Sequence, residues 1–530
     1  MPGRLRSLTG FRRALLAMVL GALVTAALPP VDLLPLAVVG FVGLVWLLDG
    51  ANRRLTAIGI GWWFGVGHSA TAYYWIANSL LVDVARHGWL YPPSLAAIAA
   101  GFALFPALVA GVAWTWRPGL PRVVAFGVAW VAVEWLRSWL FTGFPWNLMG
   151  TVFDIDARLL QPAAVAGVYG LSVIAMTVCL LPALAAYGAP ERLGRRALYT
   201  CSAAVLIVVA TGGYGAWRLT ALEPLADQAP VDLRLIQPNI AQSEKWRPDL
   251  YLSHIAMHIA HSQLQSETIP DIVIWPETAI PYRVFRETDM VDALVEAAVP
   301  PGGVLMAGAV TSENDGSGAR FFNSLVVFDD RRELVAVYDK HHLVPFGEYV
   351  PLRGVLPIDK LTPGTSDFTA GPSPRTLALD DLPAFSPLIC YEAIFPNGVV
   401  APEARPAWLL NITNDGWFGN SSGPYQHLAS ARLRTVEQGL PMARAANTGV
   451  SAVIDAAGRY VARLDLEQEG VIDARLPPPL APTIYSLWGN WTLLVILFPF
   501  LVYLACSLLG VPPKAIKRLS AQSDRQKADR

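Results

Sequence analysis

The sequence predicts a polytopic α-helical membrane bundle of eight spans joined to one α/β layered domain, and three observations predict it. Of 530 residues, 54% are hydrophobic and only 15% charged, and the mean hydropathy is +0.41, too apolar for an ordinary soluble chain of this length. The apolar residues fill the first 220 positions and a stretch near 488 to 511. Between them, short β-rich runs alternate with helical ones, the pattern of a layered α/β domain rather than a small barrel.

The apolar part divides into candidate spans at about 12 to 29, 31 to 49, 55 to 81, 93 to 115, 122 to 141, 160 to 187 and 197 to 215, with an eighth from Leu487 to Leu509. Each is long enough, as a helix, for a hydrocarbon core of roughly 30 Å. Arg4, Arg6, Arg12 and Arg13 before the first span imitate a signal peptide, but a second span follows at once, so an uncleaved anchor is expected. Arg53 and Arg54, Arg117 and Arg122, and Arg192, Arg195 and Arg196 fall in alternate loops. By the positive-inside rule these loops, the N-terminus and the basic tail are cytoplasmic, which puts the middle domain outside. The expected organisation is 1–220 membrane helices, 221–486 outer domain, 487–511 last helix and 512–530 tail.

Within the spans, Glu134 and Arg137 stand three apart, where ionisable groups are expensive and are expected to be paired or to face a cavity. The run from Phe141 to Asn147 reads either as an interfacial aromatic belt or as a floor under the outer domain. His68, Tyr73, Tyr74 and Trp75 carry the same two readings, with the belt favoured.

In the outer domain, strands are expected at Val231–Ile236, Asp271–Trp275, Gly303–Ala309, Ser324–Phe328, Glu333–Tyr338 and Pro383–Ile389, with a helix over Tyr251–Ser266. Three of these strands run into Glu277, Lys340 and Cys390. Reactive groups collect at strand ends in α/β folds. A carboxylate can take a thiol proton, and an ammonium favours thiolate and steadies an oxyanion. Taken singly, Glu277 or Lys340 reads as a solvated surface group and Cys390 as a small buried hydrophobe; the ordered set reads as a cysteine nucleophile for acyl chemistry. Cys179, Cys201 and Cys506 lie in apolar spans, so Cys390 has no disulfide partner in its own domain.

His341 and His342 do not indicate a metal, because neighbours on a strand point to opposite faces and no acidic or thiol residue has ligand spacing. The Gly and Pro residues from Pro363 to Pro374 lack a phosphate-loop ending and read as a flexible arm, preceded at Val350–Pro357 by either a membrane-dipping lid or core. A net charge of −1 without a basic aromatic stripe gives no reason to expect nucleic acid.

Trp275-Pro276-Glu277, the run from Tyr338 to Pro351 and Cys390-Tyr391-Glu392 resemble the three catalytic motifs of the nitrilase superfamily. More narrowly, they resemble its membrane-integrated branch, the apolipoprotein N-acyltransferase family. The resemblance implies an α-β-β-α sandwich inserted before the last of eight membrane helices. It implies Glu277 as general base, Lys340 as oxyanion stabiliser, Cys390 as nucleophile and Glu348 as the carboxylate that orients the lysine. Tyr391 and Glu392 would line the site and Trp246 would lie near substrate. The Asn414–Gly419 run, and a helix over Arg432–Arg444 leading to Asn447-Thr448-Gly449, fit as well. No cofactor or metal is implied. The expected partners are a phospholipid acyl donor, a diacylglyceryl apolipoprotein acceptor and membrane lipid, for a monomeric enzyme of the inner membrane. Two alternatives stay open, a membrane-tethered amidase or hydrolase and a non-enzymatic scaffold or transporter with a decayed outer domain.

Overall fold

A computed structural model describes residues 2–223, 230–314, 318–351 and 367–510. The basic tail, most of the expected lid at Val350–Pro357 and the start of the arm at Pro363–Pro374 lie outside the described residues.

The N-terminal part is helical. Four helical stretches are long and apolar enough to cross a membrane, Val84–Ala113, Ala163–Ala186, Pro190–Ala221 and Trp491–Leu508. Gly10–Thr25, Leu34–Asp49, Arg54–Ala72 and Leu120–Arg137 are shorter or less apolar helices packed among them. Small residues set the spacing. A Cβ on Gly21 would lie 1.9 Å from the Phe64 carbonyl oxygen and one on Gly67 1.8 Å from that of Met18, so here two backbones touch. This is how helices associate where side-chain burial offers little driving force.

The α/β part is two six-stranded sheets. The strands are β1 Asp232–Gln237, β2 Ile272–Ile274, β3 Val304–Asn314, β4 Ala319–Asp329, β5 Leu334–Asp339, β6 Leu377–Leu379, β7 Leu382–Ile389, β8 Trp408–Thr413, β9 Met442–Ala446, β10 Ser451–Ile454, β11 Tyr460–Leu464 and β12 Gly470–Arg475. One sheet runs β12-β1-β2-β3-β4-β5 and the other β11-β10-β9-β8-β7-β6. Their inner faces meet through Leu235, Ile274, Met306 and Leu325 on one side and Phe385, Trp408, Leu410 and Ile412 on the other. The outer face of the first sheet is covered by helices Tyr251–Ser262 and Thr288–Ala298, and that of the second by Gly423–Gln438. The order of layers is therefore α-β-β-α, as expected. Burial on both faces explains why β2 reads as an unbroken apolar run.

Two local expectations are corrected. The Tyr251 helix stops at Ser262, not Ser266. The expected helix Arg432–Arg444 begins earlier and ends at Gln438, where Gly439 adopts a left-handed backbone (φ 65°) and stops it; Arg444 lies in strand β9.

The helical and α/β parts share one apolar cluster, in which Tyr391, Ile394 and Leu433 pack with Trp75, Trp146 and Val168. Polar bonds stitch the same boundary. Gln426 accepts from the indoles of Trp75 (3.1 Å) and Trp146 (3.0 Å). Tyr391 donates to the Gly143 carbonyl (2.7 Å), and His342 Nε2 meets the Thr142 carbonyl at 2.8 Å. Of the two readings of Phe141–Asn147, the floor is the one observed, although Phe141 itself is exposed. His68, Tyr73 and Trp75 are buried in packing rather than displayed as a belt. Glu134 accepts from Trp130 Nε1 (3.0 Å) and Met149 N–H (2.7 Å), while Arg137 donates to Tyr73 and the Trp146 carbonyl. Each charge thus has its own set of polar partners.

Candidate active site

The structure brings Glu277, Lys340 and Glu348 into one hydrogen-bonded group. β2 carries the chain through Trp275, whose N–H bonds Met306 O (2.9 Å), into the turn that holds Glu277. Gly308 on β3 lets that turn pass, because a Cβ there would lie 2.6 Å from Glu277 Cα. Lys340 follows β5, its N–H bonded to the Asn323 carbonyl (2.9 Å). Lys340 Nζ lies 3.0 Å from Glu348 Oε1 and 3.4 Å from Glu277 Oε1. Asn323 Nδ2 bridges the same two carboxylates at 2.8 and 2.7 Å, and Glu348 Oε2 accepts from Val344 N–H (2.7 Å).

Cys390 ends β7 on the facing sheet. It and Thr278, next to Glu277, have positive φ (both 52°) without being glycine. Such a conformation costs of order 1–3 kcal/mol each and persists where surrounding contacts enforce it. The Cys390 thiol is buried and feels the charges of both Glu277 and Lys340.

Lys340 pulls the thiol toward ionisation, as expected of an ammonium, but two opposing effects are larger. Burial and then the Glu277 carboxylate push the Cys390 thiol well above its ordinary value, and the pull of Lys340 does not offset them. Burial opposes the charge on Lys340, but Glu348 and Glu277 outweigh it and hold the ammonium firmly charged.

Glu348 lies beside the lysine, 3.0 Å from its Nζ. Tyr391 and Glu392, which follow Cys390 directly, each make specific bonds of their own. Tyr391 reaches down to Gly143. Glu392, whose side chain is fully enclosed, takes Ile389 N–H (2.7 Å), His341 N–H (2.8 Å), His342 N–H (3.2 Å) and Tyr338 O–H (3.1 Å). It ties the Cys390 strand end to the Lys340 strand end, joining the two sheets. The donors keep Glu392 ionised, its carboxyl below the usual range despite burial. Trp246 is half-buried, and its indole nitrogen is buried with no partner among the described residues.

Three groups carried no weight in the sequence. Asn323 could have been noticed as the amide inside the apolar run Phe321–Phe328. Lys245 Nζ donates to the Glu277 carbonyl (3.0 Å), and burial lowers its pKa to about 8. His427 sits with Asp415 behind Cys390. Cys390, Asp415 and His427 offer ligand atoms within 4.8 Å of one another, the one such group among the described residues. They do not suit a metal, since both Asp415 oxygens and both His427 nitrogens already have protein partners. The described end of the Gly/Pro arm is bonded in place: Gly371 N–H to Lys340 O (2.8 Å) and Phe368 N–H to Glu348 O (2.9 Å).

Comparison with known proteins finds matches over both parts of the chain. Residues 20–181 match the apolipoprotein N-acyltransferase N-terminal domain, and 233–484 match carbon-nitrogen hydrolase. The chain is 40% identical to an apolipoprotein N-acyltransferase of Brucella melitensis, over 92% of this chain and 94% of that protein. It is 39% identical to that of Rhodopseudomonas palustris, over 91% and 92%. Among solved structures, an amidase from Nesterenkonia sp. aligns with 52% of this chain and 98% of its own at 19% identity and a TM-score of 0.35. On these matches the chain belongs to the apolipoprotein N-acyltransferase family.

Proposed function

We propose that this chain moves a fatty acyl group from the sn-1 ester of a phospholipid to the free α-amine of the diacylglyceryl-cysteine that begins an apolipoprotein. The observation that carries the reading is a buried thiol within electrostatic reach of a carboxylate and an ammonium that pair with each other at 3.4 Å, in a chain of this family. In the first half, Glu277 takes the thiol proton as Cys390 Sγ attacks the ester carbonyl, and Lys340 steadies the oxyanion. Collapse breaks the ester bond. The lysophospholipid oxygen takes the proton back from Glu277, leaving a thioester. In the second half the amine attacks the thioester, Glu277 removes its proton, and the sulfur leaves and is reprotonated. Ester to thioester to amide needs no cofactor.

The same proposal includes the setting. Residues 1–220 and 487–511 would form eight membrane helices, with 221–486 on the periplasmic side of the inner membrane and the tail, 512–530, in the cytoplasm. Four long apolar stretches and the alternation of arginines between loops support that arrangement. The contact of Tyr391 and His342 with the Phe141–Asn147 loop puts the thiol just above the helical part, where lipid esters would be at hand. The acyl acceptor and donor, and action as a monomer, belong to the proposal too.

The carbon-nitrogen hydrolase match supports a second reading, in which water replaces the amine. Purified protein is incubated with labelled phospholipid and no amine, and Cys390 is searched for a fatty acyl adduct by mass spectrometry. Transfer of that label to a diacylglyceryl-cysteine peptide supports the transferase, and release as free fatty acid supports the hydrolase. Finding neither an adduct on Cys390 nor released fatty acid would sink the reading of phospholipid as acyl donor.

A further inference from the structure

The nucleophile stands on an unusual backbone, and one side chain grips it from behind. His427 Nε2 lies 3.0 Å from the carbonyl oxygen of Cys390. Its Nδ1 lies 2.7 Å from Asp415 Oδ1, and Asp415 is held in turn by Thr413 Oγ1 (3.2 Å) and Arg444 Nη2 (2.8 Å). The side chains of His427, Asp415 and Arg444 are all fully enclosed. A carbonyl oxygen can only accept, so Nε2 donates in this geometry, while Nδ1 faces Asp415 Oδ1 and also Arg444 Nη2 (3.2 Å).

Resting on the reading above, we propose that His427, oriented by Asp415, is a positioning residue for the thiol. By holding the Cys390 carbonyl it keeps the peptide plane, and hence the left-handed φ of 52°, that aims Sγ at Glu277 and Lys340. A trans peptide points its C=O and N–H in opposite directions, so the same grip fixes the direction of the Tyr391 N–H. The hold reaches the helical part as well. The His427 ring lies 5.3 Å from the Trp146 ring, and the preceding residue, Gln426, bonds both Trp75 and Trp146.

The test uses full-length protein in lipid or detergent and compares wild type with His427→Ala, His427→Gln and Asp415→Asn. His427→Gln retains an N–H able to reach the carbonyl. Two rates are followed: acyl-adduct formation on Cys390 from phospholipid, and alkylation of Cys390 by iodoacetamide, located by peptide mass spectrometry and needing no lipid. His427→Ala is expected to lower the maximal acylation rate about 100-fold, the scale of a misplacement near 1 Å, with the donor KM unchanged. Alkylation slows in parallel, and His427→Gln recovers part of both. Unchanged rates in His427→Ala, or His427→Gln no better than Ala, overturn the proposal. If His427→Ala does not fold, Asp415→Asn and His427→Gln carry the same comparison, and wild-type rates in both overturn it. If wild type takes no acyl group, the donor reading fails, while the alkylation rates still decide the role of His427.

Discussion

The two sheets meet at one site but treat their carboxylates differently. On the Cys390 side, Glu392 is surrounded by N–H and O–H donors from both strand ends, with both oxygens occupied. On the Lys340 side, Glu277 receives one short bond from Asn323 and one longer contact from the lysine. A carboxylate saturated with donors is locked as an anion and serves as a brace. One with capacity left can accept a proton and return it. The same residue type is thus saturated with donors on one strand end and, under the proposed function, left free to do chemistry on the next, and the difference lies in what the neighbours donate.

That contrast can be broken experimentally. Cys390→Ala is expected to abolish acyl-adduct formation, and a fully active variant would refute the assignment; Cys390→Ser should retain little activity. Glu277→Gln keeps the shape and removes the base, so it should cut acylation on the order of 10²–10⁴-fold without lowering the thermal midpoint. Glu392→Gln should do the reverse. An amide NH₂ would face backbone donors, costing about 3 kcal/mol of stability, seen as a lowered midpoint in a thermal scan, with activity falling only as folded protein is lost. If Glu392→Gln left stability intact and removed activity, the brace and the base would have to be reassigned.

The smallest effect concerns Lys245. Its folded pKa, about 8, lies below the ordinary lysine value of 10.5, so between these pH values the unfolded chain binds more protons. Stability should therefore rise as pH increases from about 8 toward 10. Lys245→Met should lack this rise, measured as the difference in thermal midpoint between the two proteins across that range. A pH-independent difference would remove the buried charge from the account.

Much of this was legible in the sequence, for identifiable reasons. β2, β5 and β7 are runs bounded by Pro, Gly or charge, and Glu277, Lys340 and Cys390 announce themselves by following them. Apolar periodicity located the long helices. Other features depend on contacts between residues far apart in the chain. Glu392 looks like a site-lining residue until His341 and His342 are seen donating to it from the other sheet. His427 is a lone histidine in a helix, and nothing local says that a cysteine carbonyl lies beyond its ring. In the Arg432–Arg444 stretch Gly439 and Pro441 are a local stop signal that the helical reading passes over, while the placing of Arg444 in β9 depends on pairing with β8.

The two indoles that share the Gln426 oxygen have a consequence for how the molecule is made. Trp75 precedes Gln426 by 351 positions and Trp146 precedes it by 280. A ribosome releases both tryptophans long before it makes their acceptor. Until that amide emerges, the Trp75 N–H has only the local Ala72 carbonyl (2.9 Å), and the Trp146 N–H must find water or another temporary partner. The early half thus waits for the later one, and its finished rim is supplied by residues that arrive last.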